Sequence, residues 1–289
     1  MVPVGINNHY SNCFLNCAFQ ILSNLDGFNL RWKDAMRGKS CDSELLVKYS
    51  EFVESYANRK PDITSIYYYL VKCGMVKLNQ QGDYHEVLLM LIDGLSRSMR
   101  RVRLRVPLPT LEDCFQGKLE KTVICGNCNN RSTVVEPFIS LPFEESISRS
   151  VHSIYQPVKI ENYHCESCSR RWMRRTREMG DVKCYSTATI HCRLVKMPLI
   201  LSFHNQRKGS VSGLEDGMYR LSLPGGMKTN YRLYVVVYHR GSLGGGHYFC
   251  KVIKGDETYL IDDQLVRKAH LSDSENVVGI HLMSDDVAV

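Results

Sequence analysis

The residues with the clearest chemical signature are four cysteines arranged as two Cys-x-x-Cys pairs. Cys125 and Cys128 form the first pair, and Cys165 and Cys168 form the second. A Cys-x-x-Cys turn holds two thiolates at the spacing that tetrahedral zinc requires, so two such turns supply all four ligands. We therefore expect one structural zinc ion per chain, without an open position for catalysis, and expect each pair to cap its own hairpin. The alternative is two unrelated redox or buried pairs.

A different cysteine chemistry is indicated at Cys13, where a loop over residues 5–12 meets the start of a predicted helix. A thiol there faces the positive end of the helix dipole and unpaired backbone N–H groups, which favour the thiolate. Asn8 and Asn12 bring amide donors near it, and such donors stabilise the oxyanion of a tetrahedral intermediate. Cys13 is therefore a candidate nucleophile, the alternative being a merely packed thiol. Cys17, one helical turn later, is expected to point into the core.

The candidate general base is His247, which follows glycines at residues 244–246 and begins a strand-like run. Three glycines let the backbone approach a ligand closely. Asp262 and Asp263 end the next strand-like run, so a hairpin would bring an aspartate beside the imidazole to fix its tautomer. Because successive strand residues point to opposite faces, only one aspartate is expected to do this. His239 is a competing base, but it lacks the glycine hinge and the downstream carboxylate.

Helices are predicted in the first third of the chain to position these residues. Apolar residues recur at helical spacing over residues 13–25 and again over residues 84–95. Residues 42–58 form a third candidate helix, with Asp42 or Ser43 as its N-cap. These helices would place Cys13 at the start of a buried element.

Strands are predicted after a change of composition near residues 106–109. Residues 231–239, 247–253 and 258–261 are rich in β-branched and aromatic residues and are separated by glycine-containing turns, as in an antiparallel sheet. Residues 205–229 are weakly patterned and are predicted to form an exposed loop. Helices first and strands later indicate the α+β fold class.

The composition of the 289 residues, 44% hydrophobic and 23% charged, is that of a globular protein. No apolar run reaches about 18 residues, so we expect no membrane span. The first residues lack the basic stretch and apolar core of a signal peptide. Without an export signal, the twelve cysteines are interpreted as ligands, a nucleophile and buried small residues, and cytoplasmic or nuclear residence is expected.

The net charge of +7 is concentrated in two arginine-rich runs, residues 97–105 and 170–177. Such runs can bind nucleic acid, but they are more often solvated faces. No nucleic-acid-binding signature accompanies either run, so nucleic acid is not the expected partner. A zinc-containing nucleic-acid binder stays as a rival, and strong salt dependence of RNA binding would support it.

Several ordered segments resemble the motifs of ubiquitin-specific proteases. The Cys box of that family is written GLxNxGNTCFLN, and a later segment is written QQDAHEFL. The matching segments here are residues 5–16 (GINNHYSNCFLN), 81–88 (QGDYHEVL), 115–119 (FQGKL), the two cysteine pairs, residues 136–141, 231–239, 246–248 and 261–263. The resemblance covers nearly the whole chain, in the family's order. Tyr10, Ser11 and Asn12 depart from the Gly, Asn and Thr of the Cys box.

The resemblance implies a papain-like fold shaped like a hand, in a single catalytic domain over residues 1–289. A helical thumb would span about residues 1–108, zinc-bearing β fingers about 109–190, and an antiparallel β palm about 191–289. Cys13 matches the nucleophile and His247 the base. Asp262 matches the third triad member, with Asp263 as a possible substitute, and Asn8 matches the oxyanion-hole asparagine.

The resemblance further implies hydrolysis of the isopeptide or peptide bond after the C-terminal glycine of ubiquitin. Asp83, Glu86, Gly245, Gly246 and Tyr248 would line the cleft for the Gly-Gly tail, and the acidic residues would meet the arginines of that tail. Two alternatives stay open: a protease for another modifier, such as the interferon-induced one or SUMO, and an inactive ubiquitin-binding module. The sequence leaves the source and the oligomeric state open. A viral or parasitic member would act inside the host cell.

Overall fold

The computed structural model describes residues 2–37, 41–104, 106–176, 183–210, 214, 218–222, 228–242, 245–271 and 276–285. The helices described are α1 (Cys13–Ser23), α2 (Asp26–Met36), α3 (Glu44–Ala57), α4 (Thr64–Lys72), α5 (Tyr84–Arg101), α6 (Leu111–Phe115), α7 (Ile147–Ile154) and α8 (Glu166–Thr176). The strands described are β1 (Gly117–Cys125), β2 (Arg131–Phe138), β3 (Ser140–Pro142), β4 (Val158–His164), β5 (Tyr185–Lys196), β6 (Ile200–Ser210), β7 (Met218–Ser222), β8 (Lys228–Ser242), β9 (Gly245–Lys254), β10 (Glu257–Asp262), β11 (Leu265–Lys268) and β12 (Asn276–Ser284).

The first helix, α1, lies at the centre of the molecule, and every one of its eleven residues is buried. It packs against α5 on one side and β9 on the other. The helices predicted from residues 13–25, 42–58 and 84–95 are all present, and Ser43 caps α3 by accepting a hydrogen bond from the Leu46 N–H. Because α1 is buried on all sides, the position of Cys13, its first residue and the candidate nucleophile, is held by the surrounding core.

A large sheet carries the second half of the chain, with strand order β11-β10-β9-β8-β12-β6-β3, and β7 pairs with β8. All of its pairs are antiparallel except β3 with β6. Alternate residues of β8 face opposite cores: Val235 and Val237 join the helical core, whereas Val236 and Tyr238 join a second core. The strands predicted over residues 231–239, 247–253 and 258–261 are confirmed, as is the α+β class.

A smaller antiparallel sheet has the order β2-β1-β5-β4. Seven of the eight residues of β2 are exposed, so this sheet buries little apolar surface. The helix α8 intervenes between β4 and β5, and Cys125, Cys165 and Cys168 form a separate small buried cluster. A sheet with so little core needs another source of stability, and the cysteines are positioned to supply it.

One prediction about this half of the chain is wrong. The loop expected over residues 205–229 is largely strand: β6 reaches Ser210, β7 forms and β8 begins at Lys228. Backbone pairing of β6 with β12 and of β7 with β8 compensates for the weak hydrophobic pattern. Residues 211–213, 215–217 and 223–227 of that segment lie outside the described residues.

The second cysteine pair lies at the start of α8, within the long connection of the antiparallel β4–β5 hairpin, where the Cys165 N–H donates to the Cys184 carbonyl at 3.1 Å. Glu166 in the first turn and the arginines of the last turn suit the helix dipole, and Arg170 lies 3.5 Å from Glu166 one turn earlier. The first pair caps the β1–β2 hairpin, so each pair lies at its own hairpin as expected. The boundary expected near residue 190 falls inside β5.

The arginine-rich runs form exposed helix faces with acidic partners. Arg97 lies 2.7 Å from Asp93, and Arg100 pairs with Glu112. Residues 105 and 177 lie outside the described part of the chain. Among the described helices, none combines the length and the apolarity needed to cross a bilayer.

Candidate active site

Cys13 is the first residue of α1, and its side chain is almost completely buried beneath the start of β9. Three donors surround its sulfur. The Nε2 of Gln81 donates to Sγ at 3.3 Å, the backbone N–H of Tyr248 donates at 3.5 Å, and the imidazole of His247 forms a third hydrogen bond. A sulfur with three donors is prepared to carry negative charge.

His247 lies at the start of β9, and its Nε2 is 2.5 Å from Oδ1 of Asp262. The predicted hairpin makes this contact possible, since β10 pairs with β9 and brings Ile261 opposite Cys250. With Nε2 turned to the carboxylate, the other ring nitrogen is available to Cys13. The structure therefore brings the three predicted triad residues together. The competitor His239 is buried beside the Tyr248 ring, and its own ring lies 4.5 Å from it.

The thiol and the imidazole shift each other's ionisation. Burial acts to raise the pKa of Cys13, but the hydrogen bonds from His247, Tyr248 and Gln81 outweigh it and lower the pKa. The hydrogen bond to Cys13, assisted by the Asp262 carboxylate and opposed by burial, raises the pKa of His247 to about 9. These opposite shifts favour a thiolate–imidazolium pair at neutral pH.

The second aspartate, Asp263, has a different environment. Its Oδ2 lies 3.9 Å from Nε2 of His247, and its two oxygens accept from the amides of Asn8 and Asn16, each at 2.8 Å. Asp263 follows the end of β10 with a φ of 52°, which turns its side chain towards the same side as Asp262. Only Asp262 hydrogen-bonds the histidine, as expected, although Asp263 also faces the ring because it lies after the end of β10.

The two asparagines expected to donate near the thiol have other partners. The side chain of Asn12 is fully buried and donates to the carbonyl of Asn7 at 3.0 Å and to Asn16 at 2.8 Å. Asn8 donates to Asp263 and accepts from the Asn12 N–H. The expectation that Asn12 serves as a donor near the thiol is therefore wrong: this amide holds the loop in shape. Asn8 retains one amide hydrogen beyond its bond to Asp263.

Gln81 is the residue at this site that sequence reasoning missed. Its Nε2 donates to the Gly246 carbonyl at 2.5 Å as well as to Cys13, and its Oε1 accepts from the Gly246 N–H at 3.0 Å. One side-chain amide therefore pairs with the backbone of Gly246 as a neighbouring strand residue would. Its position in the segment over residues 81–88 was the available signal, but nothing local shows that residue 81 meets residue 246.

The residues expected to line the tail cleft lie around this amide. Gly245 and Gly246 are exposed at the start of β9. Asp83 caps α5 by accepting from the His85 and Glu86 N–H groups, and its other oxygen lies 3.5 Å from the Tyr248 hydroxyl. Glu86 is exposed in the first turn of α5. Residue 244, the first of the three glycines, lies outside the described residues.

The four cysteines of the two pairs converge at the end of the small sheet. The Sγ atoms of Cys125 and Cys168 are 3.9 Å apart, and those of Cys128 and Cys165 are 3.6 Å apart. Tetrahedral zinc with Zn–S bonds of about 2.3 Å places its sulfurs about 3.8 Å from one another. The donor set and its spacing therefore fit a metal ion of the zinc type.

Comparison with known proteins places the chain in a family. A family model described as ubiquitin carboxyl-terminal hydrolase matches residues 4–280. Ubiquitin carboxyl-terminal hydrolase 17-like protein E of Mus musculus is 26% identical over 304 residues, which are 93% of this chain and 52% of that protein. Ubiquitin carboxyl-terminal hydrolase 22 of Homo sapiens is 26% identical over 331 residues, or 93% of this chain and 63% of that protein. The chain thus spans between half and two thirds of these relatives.

The fold has a counterpart among solved structures. The structure of Ubp8 in the SAGA DUB module bound to monoubiquitin has a TM-score of 0.74 and 19% sequence identity, and the match covers 100% of this chain and 72% of that chain. The predicted fold is therefore confirmed. Since the family model extends over nearly the whole sequence, the chain belongs to the ubiquitin carboxyl-terminal hydrolase family.

Proposed function

We propose that this chain is a cysteine-type ubiquitinyl hydrolase that cleaves the isopeptide or peptide bond after the C-terminal glycine of ubiquitin. The observation that carries the proposal is the His247 imidazole, which hydrogen-bonds Cys13 on one side and Asp262 on the other and has a pKa raised to about 9. The names of the relatives support ubiquitin as the modifier. Other ubiquitin-like modifiers have the same tail chemistry, so experiment has to distinguish them from ubiquitin as the substrate.

The mechanism begins with the thiolate of Cys13 attacking the carbonyl carbon of the terminal glycine. The carbonyl becomes an oxyanion, which amide donors near Cys13 stabilise, and Asn8 is the proposed side-chain donor. The imidazolium of His247 then gives its proton to the leaving lysine amine as the carbon–nitrogen bond breaks. Water, deprotonated by His247, hydrolyses the thioester and releases ubiquitin with a free carboxylate. Asp262 keeps the imidazole oriented throughout and stabilises its positive charge.

Substrate entry requires Gln81 to leave Gly246. The N–H and C=O of Gly246 are the hydrogen-bonding groups that an extended tail would need, and Gln81 satisfies both in the free protein. A Gly-Gly tail suits this position because no side chain has to pass the exposed backbone of Gly245 and Gly246. The carboxylates of Asp83 and Glu86 lie on the α5 side of the cleft and would pair with the arginines of the tail.

Zinc is the proposed ion at the cysteine cluster, with Cys125, Cys128, Cys165 and Cys168 as its ligands. Four thiolates leave no open coordination position, so the ion would stabilise the small sheet and take no part in hydrolysis. This sheet, with its exposed β2 face, is the proposed fingers region, beside a thumb that contains helices α1 to α5 and a palm formed by strands β6 to β12 of the large sheet. All twelve cysteines are unpaired, which supports a proposal of residence in the reducing cytoplasm or nucleus.

The proposal is tested by reaction with ubiquitin that carries an electrophile at its C-terminus. We expect a covalent adduct with the unmodified chain and with Cys17→Ala, and no adduct with Cys13→Ala. Cys17 is a matched control because it lies one turn from Cys13, is buried, and has a pKa raised by burial and by the neighbouring Cys250. Its thiol is therefore not expected to react.

Parallel reactions with the interferon-induced modifier and with SUMO, each with the same electrophile, identify the modifier. An adduct with one of these but not with ubiquitin would reassign the substrate. If the chain binds ubiquitin but forms no adduct at high enzyme concentration, it is a catalytically inactive binding module. An adduct that persists in Cys13→Ala would refute the proposed nucleophile.

A further inference from the structure

A second group of metal-ligand side chains lies beside the cleft and includes Asp83, whose Oδ2 faces the Tyr248 hydroxyl. It consists of Asp83, His85 and His204, whose potential ligand atoms all lie within 4.8 Å of one another. The rings of His85 and His204 are stacked, with centroids 4.0 Å apart and planes inclined by 16°. None of these residues belongs to the cysteine cluster or to the triad.

The fold forces this group together from distant parts of the chain. Asp83 and His85 lie at the start of α5, where Asp83 is the N-cap. His204 lies on β6, and His281 on β12 projects from the same face because it pairs with Ser202, two residues before His204. The start of α5 packs on this face, where the Tyr84 hydroxyl donates to the Val278 carbonyl.

The supporting contacts resemble those that orient metal-binding histidines. The Nε2 of His85 is 2.8 Å from the hydroxyl of Ser140, an oxygen of the kind that fixes the ring of a metal ligand. The Oδ1 of Asp83 accepts from the backbone of α5, and its Oδ2 lies 3.5 Å from the Tyr248 hydroxyl, so a metal ion would bind Oδ2 in competition with that hydroxyl. His281, fully buried behind the group, bonds Ser202 through Nδ1, and its Nε2 has no hydrogen-bond partner among the described residues.

We propose that Asp83, His85 and His204 form a second metal site, which binds a divalent transition metal such as zinc through two imidazoles and one carboxylate. Three protein ligands of this type leave further positions for water, unlike the four thiolates of the cysteine cluster. Bonds of about 2.0–2.1 Å place tetrahedral zinc ligands about 3.4 Å apart, so the three side chains need to contract by at most about 1.5 Å. The two stacked rings must also tilt apart, so that the in-plane lone pairs of their nitrogens converge on the ion. Imidazole and carboxylate donors select borderline metals over calcium.

The location gives such an ion a consequence that rests on the proposed function. Asp83 is a proposed contact for the arginines of the modifier tail, and its Oδ2 lies 3.5 Å from the hydroxyl of Tyr248, the residue after His247. A metal ion bound to that oxygen would neutralise it and compete with the tail. Metal occupancy would therefore oppose substrate binding.

The test uses the full chain with zinc in its cysteine cluster and with Cys13→Ala and His247→Ala, which remove the triad as a competing site. Co²⁺ is titrated and followed by absorbance, because thiolate ligands give an intense charge-transfer band that imidazole and carboxylate do not. We expect one Co²⁺ per chain beyond the zinc, without a thiolate band, and displacement of that Co²⁺ by Zn²⁺. Ubiquitin plays no part in this measurement, so its outcome is independent of the proposed function.

Three variants in that background decide the ligand set. His204→Phe keeps an aromatic ring against His85 but removes a ligand, and Asp83→Asn keeps a good N-cap but removes the charge. Both are expected to weaken Co²⁺ binding by at least about tenfold to a hundredfold, the loss typical of even outer-shell changes. His152→Asn, on the exposed face of α7, should not change it. Absence of the extra Co²⁺, a thiolate band, or unchanged affinity in both His204→Phe and Asp83→Asn would overturn the proposal.

Discussion

Replacement of each aspartate near His247 by asparagine separates their roles. Asp262→Asn keeps the size of a side chain that is one quarter exposed but removes the charge 2.5 Å from Nε2 of His247. Loss of that partner leaves the imidazole free to adopt the wrong tautomer, which in a serine protease triad lowers kcat about 10⁴-fold. We therefore expect kcat/KM to fall by about 10²- to 10⁴-fold, or about 3–5 kcal/mol of transition-state stabilisation. The melting temperature should change little.

Asp263→Asn should show the reverse pattern. Asparagine tolerates the φ of 52° at this position, so the backbone is not strained. The variant loses a charged acceptor shared by Asn8 and Asn16, and a hydrogen bond to a charged group contributes about 1.5–3 kcal/mol. For a chain of this size that loss lowers the melting temperature by several degrees. The loss of kcat/KM should be at least about tenfold smaller than in Asp262→Asn.

The assay is steady-state cleavage of ubiquitin that carries a fluorescent group at its C-terminus, with a thermal melt of each variant. The pH profile is an independent check: because Asp262 helps to raise the pKa of His247, Asp262→Asn should move the alkaline limb to lower pH. A folded Asp263→Asn protein that loses as much activity as Asp262→Asn would refute the assignment. Retention of more than about a tenth of the activity by Asp262→Asn would refute the argument from geometry.

Three further predictions concern the thiol, the amide and the zinc. The profile of kcat/KM against pH should be bell-shaped: activity falls at high pH as His247 loses its proton near pH 9, and falls at low pH as the Cys13 thiolate is protonated, below the pH at which an ordinary thiol ionises. Gln81→Ala should raise the pKa of Cys13, measured from the pH dependence of iodoacetamide alkylation, because a donor to the thiolate is lost. Gln80→Ala changes an exposed neighbour and should leave that pKa unchanged. Equal alkylation profiles for the unmodified protein and both variants would contradict the role of Gln81. Cys168→Ser should abolish the zinc measured in the purified protein and cause unfolding of the small sheet or aggregation. Cys184 is adjacent to the cluster but outside the ligand set, so Cys184→Ser should keep one zinc per chain. Unmodified protein that is active but free of metal would exclude the structural ion.

Much of the fold and of the triad was accessible from the sequence, for local reasons. Helical periodicity after Cys13 and alternating apolar residues after His247 each predict which side of a helix or strand is buried. Burial of that side is what stabilises α1 and β9. The β9–β10 hairpin follows from a short glycine-containing connection, and it brings Asp262 to His247. Two Cys-x-x-Cys pairs predict a zinc site from their spacing alone. Each of these signals is contained within a few tens of residues.

The parts that the sequence did not reveal depend on contacts between distant segments or on backbone conformation at one residue. Strand alternation fails at Asp263 because that residue leaves β10 in a left-handed conformation, which period-two reasoning does not include. The contact of Gln81 with Gly246 joins two segments through a side chain, without a hydrophobic pattern. The strand β7 exists because β8 offers it an edge. In the last two of these cases, contacts between segments distant in sequence decided the structure.

The free protein already forms within its cleft the hydrogen bonds that a substrate would need. The side chain of Gln81 occupies the N–H and C=O of Gly246 and donates to the Cys13 sulfur, so three hydrogen bonds must be exchanged when a tail enters. Each bond contributes about 0.5–1.5 kcal/mol net, but an extended tail returns two of them through its own backbone. A bulky or wrongly placed chain returns none. The exchange therefore disfavours ligands that cannot adopt a strand beside Gly246, which is consistent with the glycine-rich tail proposed as the substrate.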